Sequence, residues 1–160
     1  MWEVWAFEPT TREKKSFTVR EGQLDEKTKL VYMNGQCYSL ALALYELNEK
    51  WVPVCWTNAD YLGKNPEKWK GRHVEELEHF DRSVIVHVMV QSPTSCDLLD
   101  IEGYHNIERY SYTNPFNKKL IFMYISIQKI KKLMQSHILP QNMDAARKAA
   151  KAVVSTYGIK

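Results

Sequence analysis

The chain has 160 residues, 44% of them apolar and 26% charged, with a formal net charge of +3. That length suits one domain, residues 1–160, with a proper core, and five Trp, nine Tyr and five Phe exclude a disordered chain. No run approaches the roughly 20 apolar residues of a bilayer span, and the opening stretch lacks a basic region followed by an apolar core. Three cysteines, Cys37, Cys55 and Cys96, cannot all pair with one another. The expectation is a soluble, cytoplasmic protein with free thiols in a reducing compartment.

Charge is unevenly spread. Residues 1–116 hold 13 Lys+Arg against 18 Asp+Glu, whereas residues 117–160 hold nine against Asp144 alone. A basic C-terminal end suits phosphates, an acidic protein surface, or plain solvation of helices. Solvation is the expectation, so specific nucleic-acid binding is not expected.

In chain order, residues 2–7 read as a strand, and residues 16–20 as a second beyond a polar hairpin loop. Residues 29–33 read as a short extended segment ending at the Asn34-Gly35 turn. Leu40, Ala41, Leu44 and Leu47 repeat at helical spacing within a helix over 36–49. Residues 51–56 have strand composition, with Pro53 implying an edge. Residues 58–71 read as a loop and 72–80 as a short helix. Residues 83–91 alternate as a strand, with Val84, Val86, Val88 and Val90 on one face and Ile85, His87 and Met89 on the other. A turn over 92–95 leads to a partner strand over 96–101. A strand over 120–126, a helix over 127–135 and a last helix over 144–157, stopped by Gly158, complete the chain. Hairpins mixed with helices predict an α+β fold, an antiparallel sheet packed against a helix.

Cys37, His87 and Asp100 carry the chemistry. Cys37 falls in the first turn of its helix, where unpaired N–H groups and the positive end of the dipole favour a thiolate. The same position also suits a buried core thiol, because Cys37 shares a face with Leu40, Ala41 and Leu44. His87 lies mid-strand in apolar company and needs a polar partner. A four-residue loop over 92–95 pairs Gln91 with Cys96 and His87 with Asp100, so the carboxylate faces the imidazole. Such a pair fixes a tautomer and stabilises imidazolium, and it also serves as a structural bond alone. His105 is an alternative base outside the hairpin. His73 and His79 bracket the helix expected over 72–80 without a zinc-like spacing, so no metal is expected. There is no phosphate loop and no dinucleotide fingerprint, and no cofactor is expected.

The run Asn34-Gly35-Gln36-Cys37-Tyr38-Ser39-Leu40-Ala41 resembles the nucleophile helix of papain-like and transglutaminase-like cysteine enzymes. His87-Val88-Met89-Val90 and Leu98-Leu99-Asp100-Ile101 resemble the strands that carry their His and Asp, in the same chain order. The resemblance covers residues 33–105. It implies an antiparallel sheet against the Cys-bearing helix and a Cys-His-Asp triad acting on an amide or ester bond of a protein or peptide substrate, as protease, deamidase or transferase. Papain's Gln before the nucleophile has no clear counterpart, which leaves Gln36 as the candidate substrate or oxyanion contact. Two rival readings stand beside the enzyme. One is a binding or inhibitory protein on the same scaffold. The other is a protein that contacts nucleic acid through its basic C-terminal helices.

Overall fold

The structure, a computed structural model, describes residues 1–78 and 80–159. A two-stranded antiparallel ribbon opens the chain, β1 (Trp2–Phe7) with β2 (Lys14–Val19). Helix α1 (Glu26–Met33) follows, and then α2 (Cys37–Leu47). The sheet comprises β3 (Val52–Asn58), β4 (Ile85–Gln91), β5 (Leu98–Asp100), β6 (Gly103–His105) and β7 (Leu120–Tyr124), in the order β6-β5-β4-β3-β7 with every ladder antiparallel. Helix α3 (Ile107–Thr113) lies between β6 and β7, and α4 (Ile127–Gln135) and α5 (Met143–Tyr157) end the chain. The architecture is α+β.

Helix α2 is the central element. Its first eight residues, Cys37 to Leu44, are all buried. Burying each of Leu40, Leu42 and Leu44 contributes about 1.5–3 kcal/mol relative to exposure. Alanines 145, 146, 149 and 150 line the buried face of α5, which lets that helix approach α2 closely. The main core joins these helices to Cys55, Val88, Val90, Leu99, Ile121 and Met123 on one face of the sheet. A second cluster, with Val54, Trp56, Met89, Leu98, Tyr110 and Phe122, occupies the opposite face.

Five expectations are corrected. Residues 29–33 are not extended but belong to α1, which starts where Asp25 accepts a hydrogen bond from Thr28 N and buries Val31 and Tyr32. The strand at Pro53 is central, not at an edge. The β3–β7 ladder begins at Val54, so the N–H that proline lacks is not needed there, and the Pro53 carbonyl accepts from Ile125 N. Among the described residues of 72–80 only a 3-10 turn, Val74–Glu76, forms; His79 lies outside the described residues. The four-valine face breaks because Trp56 pairs with His87 and Thr57 with Ile85, leaving Val86 as a bulge and Val84 in a 3-10 turn. The fifth correction is to the register of the β4–β5 hairpin.

That hairpin pairs Gln91 with Leu98 and Val90 with Leu99, two residues away from the expected alignment. Ser92 Oγ accepts from Thr94 N and Ser95 N, and Cys96, at φ 63°, donates its N–H to Ser92 O, so Ser92 N reaches past it to Asp97 O. A shift of one would have turned Asp100 to the other face; a shift of two preserves it. His87 and Asp100 therefore share a face as expected, as diagonal rather than directly opposed neighbours.

Of the basic residues expected in solvent on the last two helices, Lys131, Lys132, Arg147, Lys148 and Lys151 are exposed. Lys129 is half-buried, its ammonium 4.0 Å from the centre of the Phe80 ring. Among the described residues no helix is long and apolar enough to cross a membrane.

Candidate active site

The turn into α2 is built to hold Cys37. Gly35 has φ 121°, which strains any other residue, and a Cβ there would stand 2.5 Å from Leu139 Cδ1 and force that methyl to move. Gln36 is the N-cap but makes no side-chain cap. The backbone N–H groups at the start of α2 thus have no side-chain acceptor from the cap, and they lie beside the thiol.

Gln36, expected as a substrate or oxyanion contact, has its side-chain amide turned to other partners. Its Nε2 donates to Trp5 O and Pro140 O, each at 2.8 Å, and its Oε1 accepts from Ser39 Oγ and Asn142 N. A primary amide has two N–H donors, and both are engaged. The side chain instead ties the start of α2 to β1 and to the segment before α5, so it fixes where Cys37 sits.

His87 is buried, and its Nε2 lies 2.9 Å from Asp100 Oδ2. The β4 bulge at Val86 is immediately adjacent, and bulges re-aim neighbouring side chains. The carboxylate of Asp100 is also buried and is held from three directions. Oδ2 meets His87, while Oδ1 accepts from Glu102 N at 2.9 Å and faces His105 Nε2 at 2.8 Å. A carboxylate only accepts, so both imidazoles present N–H to it through Nε2. That leaves Nδ1 as the free nitrogen of His87. It is buried without a hydrogen bond of ordinary geometry, and the Cys37 thiol is close enough to favour the imidazolium.

The electrostatics follow from this packing. Burial opposes a charged His87, but the hydrogen bond to Asp100, its charge and the neighbouring Cys37 sulfur outweigh it and raise the imidazole above its ordinary value. Burial likewise opposes a charged Asp100, and the bonds from His105 and His87 overcome it and hold the carboxyl below the usual range. Cys55 is the contrast: it is wholly buried, and burial pushes its thiol up.

A cleft of about 500 Å³ opens over Cys37, lined among others by Tyr38, Val86, Phe116 and His137. Phe116 also covers His87, with ring centres 5.4 Å apart. His137 was not anticipated from the sequence. Burial first, and then the nearby Arg82 charge, push it down to about 4. Its Nδ1 accepts from Leu139 N at 3.0 Å, so the neutral ring carries its proton on Nε2 and is a donor. No local motif marks it, since it lies 100 residues from Cys37.

His105 was expected only as an alternative base. It instead binds the far oxygen of Asp100, because β6 folds back on β5 with Asp100 opposite Gly103 and Leu98 opposite His105. The Gly103 φ of 108° makes this tight return possible. Its ring packs 4.9 Å from that of Tyr110. Among the described residues, no group of three or more His, Cys, Asp or Glu is arranged to hold a metal ion. No family model, curated protein or solved structure matches the chain.

Proposed function

We propose that the protein is a thiol enzyme acting on an amide or ester bond of a protein or peptide substrate, with Cys37 as nucleophile, His87 as general base and acid, and Asp100 as orienter. The observation that carries this reading is one buried imidazole whose Nε2 is held by a carboxylate while its Nδ1 carries no hydrogen bond, with a helix-start thiol near enough to act on its charge. In this reading the Cys37 thiolate attacks the acyl carbon as the S–C bond forms, and the oxyanion is met by N–H groups at the start of α2. Collapse breaks the C–N or C–O bond, and His87 imidazolium gives its proton to the leaving group. A water or amine then attacks the thioester, His87 takes its proton, and the thiolate leaves. His105 acts at one remove as a positioning residue, fixing the carboxylate that fixes His87. The arrangement is compatible with the papain-like and transglutaminase-like scaffold suggested by residues 33–105.

The test is acyl-enzyme formation with p-nitrophenyl acetate, in a Cys96→Ser background that removes the exposed thiol. The expected result is a nitrophenolate burst equal to the protein concentration, with one acetyl group on Cys37 by intact mass. The burst is expected to vanish in Cys37→Ser and to slow strongly in His87→Ala. A burst that survives Cys37→Ser rules the reading out.

A further inference from the structure

The charged lining of the cleft over Cys37 is of one sign. It contains Arg12, Arg82 and Lys118 and no Asp or Glu. None of the three makes an ion pair with a carboxylate among the described residues. Glu13, next to Arg12, does not line the cleft, and two other acids close in sequence are turned to other tasks. Glu8 caps the loop through Thr10 N and Thr11 N, and Asp81 accepts from Ser83 N at 2.8 Å. Arg12 is held by Asn34 Oδ1 at 3.0 Å and lies over the Phe7 ring. Arg82 donates to the carbonyls of Leu133 and Ser136 at the end of α4, which fixes the guanidinium without neutralising it by a carboxylate. Its charge is felt by Tyr38 and His137, the neighbours of Cys37 across the cleft. The acidic balance of residues 1–116 makes this local excess of cations the more distinct.

Resting on the thiol-enzyme reading, we propose that the site takes an acyl donor whose bound segment is negatively charged, an acidic peptide, drawn and oriented by Arg12, Arg82 and Lys118. Cations around a cleft raise the local concentration of an anionic substrate and fix its direction, and the effect weakens with salt. Arg82 is held by two backbone carbonyls and lines the same cleft as the thiol, so it is the fixed cation of the three. Arg12 and Lys118 are exposed and reach the segment further out.

The experiment compares two affinity probes of equal shape, N-iodoacetyl-aspartate amide and N-iodoacetyl-asparagine amide. In each, Cys37 sulfur displaces iodide as the S–C bond forms and the C–I bond breaks, and mass spectrometry gives the rate at Cys37. The expected aspartate-to-asparagine ratio is about five at low salt, falling toward one at high salt. Arg12→Glu combined with Lys118→Glu is expected to bring the ratio to one or below. Circular dichroism confirms that this exposed pair folds. Equal rates in the unmutated protein, or a ratio indifferent to both salt and charge reversal, overturn the inference and leave the thiol reading standing. Failure of both probes to label Cys37 before denaturation overturns the two together.

Discussion

The two faces of the five-stranded sheet are built on opposite terms. One face meets α2 and α5 through a continuous apolar core, from Leu40 and Leu44 to Val88 and Met123. The other embeds His87, Asp100 and the inner edge of His105 among Trp56, Met89, Tyr110 and Phe116. The first face gains its stability from burial itself. The second face desolvates a charged pair, which stability alone does not require, because replacing a buried ion pair with apolar side chains is often neutral or favourable. Cys37, on the start of α2, is the point where the first face supplies a group to the second.

The largest expected effect comes from breaking the polar face halfway. Asp100→Ala leaves His87 buried without its carboxylate and is expected to cost about 3–5 kcal/mol in urea unfolding. His87→Leu with Asp100→Leu is expected to recover most of that stability while abolishing acyl-enzyme formation. A double variant as unstable as the single one means that the pair is structural. On the apolar face, Leu44→Ala is expected to cost about 2–5 kcal/mol through lost transfer energy and a cavity. Its folded protein should label at Cys37 as the unmutated protein does.

A smaller effect is the pH dependence. The folded Asp100 lies below its ordinary value near 3.8, so its stabilisation is present above that pH and is lost as pH falls through the lower folded value. His87 is raised above 6.5, so its contribution is complete below that pH and is lost as pH rises through the folded value. Asp100→Asn should flatten both limbs in urea midpoints measured across pH. Unchanged limbs in that variant contradict the pairing. The smallest effect is that of His105→Ala, which should slow Cys37 acylation less than His87→Ala, with the loss in kcat rather than KM. A change in KM alone places His105 on the substrate instead.

Much of the apolar face was legible because it repeats. The α2 pattern, the alternation along β4 from His87 onward and the helix at 127–135 follow from local periodicity, while the bulge at Val86 interrupts the valine face before it. The start of α1 is signalled only by Asp25, and the hydrophobic pattern there is too weak to mark a helix. The central place of β3 escaped because a proline reads as an edge residue unless the ladder is known to start one residue later. On the polar face, His87 and Asp100 were legible together only because the register error was even. The true turn is set by Ser92 Oγ and the left-handed Cys96, which sequence alternation does not reveal. His105 and His137 come from residues brought in by the β5–β6 return and the segment after α4, and no local spacing announces either.

The central claim is a reactive thiol at the junction of the two faces, and the labelling rates of the three cysteines with iodoacetamide at mildly acidic pH test it most directly. Ordinary thiols, with pKa about 8.5, are almost wholly protonated there. Cys96 is exposed and serves as the accessible reference, while Cys55 is buried with its thiol pushed up. Cys37 is expected to label faster than Cys96 despite its burial, and His87→Ala is expected to remove that advantage in a protein that still folds. If Cys96 labels first and Cys37 waits for denaturation together with Cys55, Cys37 is a core thiol and the enzyme reading is contradicted.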